Sequence, residues 1–180
     1  MTPHTQRTLF FSLAASALSA STSSAQTLLY PKLGDKANDR LGVAVRSCGD
    51  VNNDGKNDFV VGAPEDGNLF GGGEGFVRVY SGANGATLYT INGVTNDDRF
   101  GVSVDGAGDV NGDGFADIVV GAPGFASGNG RVYVKSGANG TTNLYTFDSV
   151  AAFDAHGTVV AGVGDVNGDG RPDVLAASPT

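Results

Sequence analysis

Asp109-Val110-Asn111-Gly112-Asp113-Gly114-Phe115-Ala116-Asp117-Ile118-Val119-Val120-Gly121-Ala122-Pro123 is an acidic, glycine-bearing loop that runs directly into a continuous apolar stretch. The same passage stands at Asp50 to Pro64 and again at Asp165 to Pro179, so its opening aspartates lie 59 and then 56 residues apart. Self-similarity at such a period marks a repeat architecture, in which each unit buries its apolar surface against its neighbours. The apolar run Ile118-Val119-Val120 is matched by Phe59-Val60-Val61 and Val174-Leu175-Ala176. Continuous runs of this kind suit a strand covered on both faces.

Outside the loop the match continues. Asn38-Asp39-Arg40-Leu41-Gly42 returns as Asp97-Asp98-Arg99-Phe100-Gly101, and Ser81-Gly82-Ala83-Asn84-Gly85 as Ser136-Gly137-Ala138-Asn139-Gly140. Runs rich in β-branched and aromatic residues, separated by Gly, Pro, Asn and Asp, predict four strands per unit. In the first unit they are Val43–Cys48, Phe59–Ala63, Phe76–Ser81 and Thr87–Ile91. The third strand alternates, with Val77 and Val79 (Val132 and Val134) on one face and Arg78 and Tyr80 (Tyr133 and Lys135) on the other. Alternation of that kind predicts a position nearer the sheet edge. Asn84-Gly85 and Asn139-Gly140 predict tight hairpin turns between third and fourth strands. Thr27 to Leu33 matches the fourth strand of a preceding unit, and no helical periodicity competes after residue 25.

The expected fold is therefore all-β, built of β-propeller-type blades of four antiparallel strands. The units span about 35–93, 94–149 and a shorter 150–180, eleven strands in an incomplete ring. Propellers close with four to eight blades, so open edges able to self-associate are expected. An immunoglobulin-like sandwich is the weaker alternative, because it needs no near-identical repeats and its Cys and Trp markers are missing.

Glycine supplies 29 of 180 residues, against a typical ~7%, which favours many turns between short strands. The net charge of −8 argues against nucleic acid and anionic membranes as partners, since both are bound through Lys and Arg. Residues 1–25 read as a secretory signal: His4 and Arg7, the apolar stretch Leu9 to Leu18, then Ser23-Ser24-Ala25. The apolar stretch is shorter than the ~20 residues a bilayer requires, and no later segment is long enough either. The expectation is a propeller segment over residues 26–180, secreted or at the cell surface. With one cysteine, Cys48, it has no internal disulfide, so a small exported chain needs another staple.

The repeated loop offers one. It reads D-x-N-x-D-G-x-x-D three times, with side-chain oxygens at Asp50, Asn52, Asp54 and Asp58, at Asp109, Asn111, Asp113 and Asp117, and at Asp165, Asn167, Asp169 and Asp173. Hard cations such as Ca²⁺ take six to eight oxygens, and alternate residues of a tight loop converge on one point. Gly at the sixth position (Gly55, Gly114, Gly170) permits the sharp turn. By analogy with the EF-hand loop, the backbone carbonyls of the seventh residues, Lys56, Phe115 and Arg171, add a further ligand. The EF-hand itself is excluded, because strands flank the loop and the twelfth position lacks Glu. A single copy would be an ordinary Asx-rich turn as readily as an ion site. Three copies gather nine acids, whose mutual repulsion three Ca²⁺ ions would relieve. Mg²⁺ fits less well, because it keeps its waters and demands a stricter octahedron.

The whole stretch after residue 25 resembles the FG-GAP repeats of the integrin α-chain propeller and of bacterial secreted proteins with the same repeat. Phe100-Gly101 and Gly121-Ala122-Pro123 carry the resemblance, with Asp109 to Asp117 between them; Leu41-Gly42 with Gly62-Ala63-Pro64, and His156-Gly157 with Ala177-Ser178-Pro179, are its variants. The resemblance implies a seven-bladed propeller, of which this chain covers fewer than three blades, with Ca²⁺ in loops on one face and adhesion or ligand binding on the other. A protein or glycan is the implied ligand and no enzyme activity is expected. Two alternatives remain open: the non-catalytic propeller part of a larger, phospholipase D-like secreted hydrolase, and a structural envelope or matrix component.

Other residues support no catalytic reading. His156 stands where the sister units hold Leu41 and Phe100, which predicts a packing role rather than a base. Gly71-Gly72-Gly73-Glu74-Gly75 lacks the Lys-Ser/Thr and helix of a phosphate loop, and Gly106-x-Gly108 falls short of a dinucleotide fingerprint. Cys48 aligns with Ala107 and Val163, which predicts a small buried apolar slot. Asn139-Gly140-Thr141 is a formal glycosylation sequon placed on a hairpin turn.

Overall fold

The computed structural model describes residues 30–36, 38–65 and 73–179. The signal-like residues 1–25, the start of Thr27–Leu33, and Gly71 and Gly72 lie outside them. Two four-stranded antiparallel sheets follow one another: β1 (Ala44–Gly49), β2 (Asp58–Ala63), β3 (Phe76–Tyr80) and β4 (Thr87–Asn92), then β5 (Ser103–Gly108), β6 (Asp117–Ala122), β7 (Arg131–Lys135) and β8 (Asn143–Asp148). A two-stranded sheet of β9 (Val159–Gly164) and β10 (Asp173–Ala177) completes the described chain. Each sheet is a meander in chain order, and its first strand lies against the first strand of the next, β1 on β5 and β5 on β9. Among the described residues the result is an open stack of blades, with no closed ring.

Alternation along β6 explains the stacking. Ile118, Val120 and Ala122 face the first sheet, where they join Val60, Val77, Val79 and Phe100 in one buried cluster. Val119 faces the opposite way, into a second cluster with Ala107, Val132, Val134 and Val160. All six residues of β6 are buried, so a continuous apolar run does here mark a strand covered on both faces. Strand β10, its counterpart in the third unit, has one face covered among the described residues and leaves Leu175 56% exposed.

Four sequence expectations are corrected. β3 and β7 sit inside their sheets and β4 and β8 form the outer edges. Their polar-looking face is covered because long side chains lie flat on it: Tyr80 stacks on Phe59 at 5.2 Å, and Lys135 lies over the Tyr133 ring at 5.4 Å. The hairpin turns are not two-residue turns. Only Gly85 (φ 75°) and Gly140 (φ 68°) are left-handed, the turn runs from Ser81 to Ala86, and the ladder slips between Val79 and Tyr80. This is a longer turn closed by a glycine bulge, in which the Asn84 side chain accepts from the Ala86 amide at 2.8 Å. Residues Tyr30 to Leu33 form no strand, so the described strands number ten. No ladder partner stands beside this segment among the described residues, and Phe59 captures the Tyr30 ring by stacking at 6.2 Å. Finally, Phe125–Gly128 makes one helical turn although the sequence shows no helical periodicity after residue 25, distorted by left-handed Ala126 and Ser127.

The third unit packs despite its His156-Gly157 variant. A Cβ on Gly121 would meet the Gly157 carbonyl oxygen at 1.9 Å, the same distance that separates one on Gly62 from Gly101 O. His156 itself is half-buried, and its Nδ1 lies 3.3 Å from Ser178 Oγ. Cys48 is fully buried, and desolvation pushes its thiol up to about 12.

Candidate metal centre

Each acidic loop joins the first and second strand of a blade: β1 to β2, β5 to β6, and β9 to β10. The chain enters through a glycine in the left-handed region, Gly49 (φ 76°), Gly108 (φ 72°) or Gly164 (φ 70°), at which the strand pairing shifts register. These glycine-bearing entries are bulges, which turn the chain out of the ladder and into the loop. The sixth residue is left-handed in all three loops, and so is the fourth: Asn53, Gly112 and Gly168.

The backbone amides of that turn gather the loop's oxygens. In the second loop Asp109 Oδ1 accepts from Gly112 N at 2.7 Å and Asp113 N at 3.0 Å, and its Oδ2 accepts from Gly114 N at 2.8 Å. Asn111 Oδ1 accepts from the same Asp113 amide at 2.9 Å, and Asp113 Oδ1 from Phe115 N at 2.9 Å. The first loop repeats this through Asp50, Asn52 and Asp54, and the third through Asp165, Asn167 and Asp169. Thus the first, third and fifth side chains come together at one exposed turn. Burial works against the Asp50 carboxylate, but the amides of Gly55, Asp54, Asn53 and Asn52 outweigh it and hold it below the usual carboxylate range.

The ninth residue is placed differently. Asp58 and Asp117 are buried, and each bridges two backbone amides: Asp58 takes Val51 N at 3.0 Å and Gly82 N at 2.9 Å, Asp117 takes Val110 N and Gly137 N, both at 2.9 Å. Each therefore ties its loop to the hairpin turn between the third and fourth strands of its own blade. Desolvation is the main reason that Asp117 titrates above the usual range, with Asp113 and Asp109 adding to it against the two amide bonds. Asp173 accepts from Val166 N at 2.9 Å through Oδ2, while its Oδ1 takes only Asn167 Nδ2 at 3.3 Å. The side chains of Lys56, Phe115 and Arg171 take no part in the turn; Arg171 Nη1 instead donates to Val110 O at 3.2 Å, linking the third loop to the second.

Among the described residues no three His, Cys, Asp or Glu side chains form a ready-made cation cage, since the carboxylates are turned onto amides of the loops. The donor set nevertheless fits a hard cation. It is all oxygen, and three of its side chains already share one turn. A soft or redox metal would find no thiolate or imidazole here.

The sequence reading missed the partners of the ninth aspartate, the amides of Gly82 and Gly137. It also missed a tyrosine in the fourth strand: the Tyr89 hydroxyl donates to Gly137 O of the next blade at 2.8 Å, and the Tyr30 hydroxyl donates to Ala83 O at 3.1 Å. The signal was present, because Leu29-Tyr30, Leu88-Tyr89 and Leu144-Tyr145 recur at the same 59- and 56-residue spacings.

A family model described as FG-GAP repeat matches residues 42–80, 100–134 and 156–180. The chain is 31% identical to integrin alpha-V of Gallus gallus over 148 residues, which cover 77% of this chain and 14% of that protein. It is 36% identical to human integrin alpha-6 over 134 residues, 72% of this chain and 12% of the relative. With integrin alpha-5 of Xenopus laevis the identity is 31% over 143 residues, 74% of this chain and 13% of the relative. The chain thus spans about an eighth of the length of these relatives. No helix among the described residues is long and apolar enough to cross a membrane.

Proposed function

The chain belongs to the FG-GAP repeat family, and from that premise we propose that it is an exported, calcium-stapled propeller segment that serves as an adhesion or ligand-binding scaffold. The observation that carries this reading is the threefold recurrence of one loop geometry, in which the first, third and fifth side-chain oxygens meet on the amides of a single turn. Asp50, Asn52 and Asp54, with Asp58 behind them and the Lys56 carbonyl beside them, would hold one ion. Asp109, Asn111, Asp113, Asp117 and the Phe115 carbonyl would hold a second, and Asp165, Asn167, Asp169, Asp173 and the Arg171 carbonyl a third. A bound divalent cation supplies charge neutralisation and a fixed coordination sphere, so its role here is structural. The similarity to integrin alpha chains supports an extracellular setting and a protein or glycan ligand, with no catalytic residues in this segment.

Extracellular calcium modules bind at ~10⁻⁴ to 10⁻³ M. At tenfold excess over Kd each site adds about 1.4 kcal/mol by mass action, and three sites about 4 kcal/mol. A thermal melt in millimolar CaCl₂, in MgCl₂ and in chelator tests this. A cooperative transition that rises by several degrees in Ca²⁺ alone is expected, and a transition indifferent to Ca²⁺ would return the loops to ordinary turns.

A further inference from the structure

We infer that Asn111 and Asn167 are sites at which the chain modifies itself: the backbone nitrogen of the following glycine attacks the side-chain amide and converts each asparagine into aspartate or isoaspartate. An Asn followed by Gly is the pair best suited to this chemistry, because glycine has no Cβ to hinder the approach of its nitrogen. Six such pairs occur, opening at Asn84, Asn92, Asn111, Asn129, Asn139 and Asn167. The fold locks four of them and leaves two free to react, a division that does not rest on the cation reading.

The attacking nitrogen makes the difference. Gly85 N donates to Ser81 O at 2.7 Å, Gly93 N to Gly75 O at 2.8 Å, Gly130 N to Phe125 O at 2.9 Å and Gly140 N to Ser136 O at 2.8 Å. Each acceptor is a main-chain carbonyl, so these amides are released only when a turn or a ladder end opens. Packing holds them further: a Cβ on Gly85 or Gly140 would run into the Tyr30 or Tyr89 ring, and one on Gly93 or Gly130 would lie 2.2 Å from backbone atoms of Glu74 or His156. Gly112 N and Gly168 N donate instead to side chains, Asp109 Oδ1 and Asp165 Oδ1, both at 2.7 Å. A carboxylate on an exposed loop turns aside without opening any strand pair. Both glycines are exposed, and a Cβ on either would meet nothing within 4 Å. The second loop belongs to the blade covered on both sides, so the openness of Gly112 is a property of the loop itself.

The electrophile is also prepared. Asp113 N donates to Asn111 Oδ1 at 2.9 Å, and Asp169 N to Asn167 Oδ1 at 2.8 Å, at the atoms where negative charge gathers as the nitrogen attacks Cγ. Comparable amides reach Asn84 and Asn139, so selectivity arises at the nitrogen alone. As the Gly112 N–Cγ bond forms, the amide proton passes to solvent; the Cγ–Nδ2 bond breaks, and Nδ2 takes a proton from solvent and leaves as ammonia. Water then opens the cyclic imide. Cleavage of N–Cγ leaves aspartate, and cleavage of the original peptide bond leaves isoaspartate, whose main chain runs through Cβ and Cγ. The first product sets a further carboxylate beside Asp109 and Asp113, and the second lengthens the turn. The first loop is exempt, because Asn53 stands where the others hold Gly112 and Gly168.

The test ages the full chain at neutral pH in chelator, with and without urea, and maps the products by peptide mass spectrometry and isoaspartate-specific methylation. Without urea, Asn111 and Asn167 are expected to convert several-fold faster than Asn84, Asn92, Asn129 and Asn139, and than Asn52 of the first loop. In urea all six Asn-Gly pairs should convert at similar rates while Asn52 lags. Gly112→Asn, which copies the first loop, is expected to slow conversion of Asn111 to the rate of Asn52 and to leave Asn167 unchanged. The inference is overturned if Asn111 and Asn167 stay intact without urea while the urea sample converts, if any of the other four pairs leads, or if all six convert equally without urea. A rate at Asn111 that Gly112→Asn leaves unaltered overturns it as well.

Discussion

Gly121 is a glycine because another backbone stands where its side chain would be, and its replacement is the sharpest test of the blade interface. A Cβ there would lie 1.9 Å from Gly157 O. Gly121→Ala is expected to cost about 1–3 kcal/mol or more, read from the urea midpoint, as for overpacking elsewhere. Gly114→Ala is a contrasting case, because its Cβ meets nothing within 4 Å and the cost arises from φ +89° alone, about 1–2 kcal/mol. The loop aspartates separate in the same way. Asp117→Ala strips two buried amides of their acceptor, so it is expected to destabilise the chain by about 1–3 kcal/mol per amide in chelator as well as in calcium. Asp113→Ala alters an exposed turn, so its cost should be small in chelator and appear only as a lost share of the calcium-dependent gain. Equal losses for both variants in chelator would contradict that division. Cys48 reports on the whole interface: with its thiol pushed up to about 12 and fully buried, it should resist alkylation until the chain unfolds. Because its folded value lies above the unfolded one near 9.0, this group's contribution to stability is complete below pH 9 and is lost between pH 9 and 12.

At the scale of the element, the blade was legible because its signals were local. Apolar runs, the loop and the turn glycines each fell within a few residues, and the four strands of the first unit emerge within a residue of where the sequence put them. What the sequence concealed was which polar faces are covered. Arg78 and Tyr133 read as lying near a sheet edge, yet both are on inner strands, Arg78 over the Phe76 ring and paired with Asp35, Tyr133 against the Phe100 ring. The tyrosine latch was equally hidden, since its acceptor lies 48 residues away and belongs to the next blade. Tyr89→Phe keeps the ring on Gly140 and removes only the hydrogen bond to Gly137 O. It should therefore cost about 0.5–1.5 kcal/mol, while Tyr89→Ala, which also empties the contact with Gly140, should cost clearly more. A Phe variant as damaging as the Ala variant would mean that the bond, rather than the ring, joins the blades.

On the scale of the whole molecule, stability in a stack of repeats is approximately a sum of blade and nearest-neighbour terms, so it need not be uniform along the chain. The second blade is covered on both sides, and β6 and β7 contribute to both buried clusters. Among the described residues the third has two strands and one covered face, with Val159, Val163 and Leu175 left 54%, 39% and 56% exposed. Native-state amide exchange should therefore be slowest in β6 and β7 and fastest in β9 and β10, with β2 and β3 nearer to the former. Calcium should slow exchange in all three blades, but most in the third. There, among the described residues, the loop spans the one strand pair, so an ion holding its turn constrains both described strands rather than one connection among three. If every strand exchanged through one opening of the same free energy, the stack would instead be a single cooperative unit in which the β5–β9 contact is strong enough to hold the half-blade at full stability. That outcome would also change the meaning of the calcium response, because ions bound to any one loop would then protect β10 as effectively as the ion bound beside it.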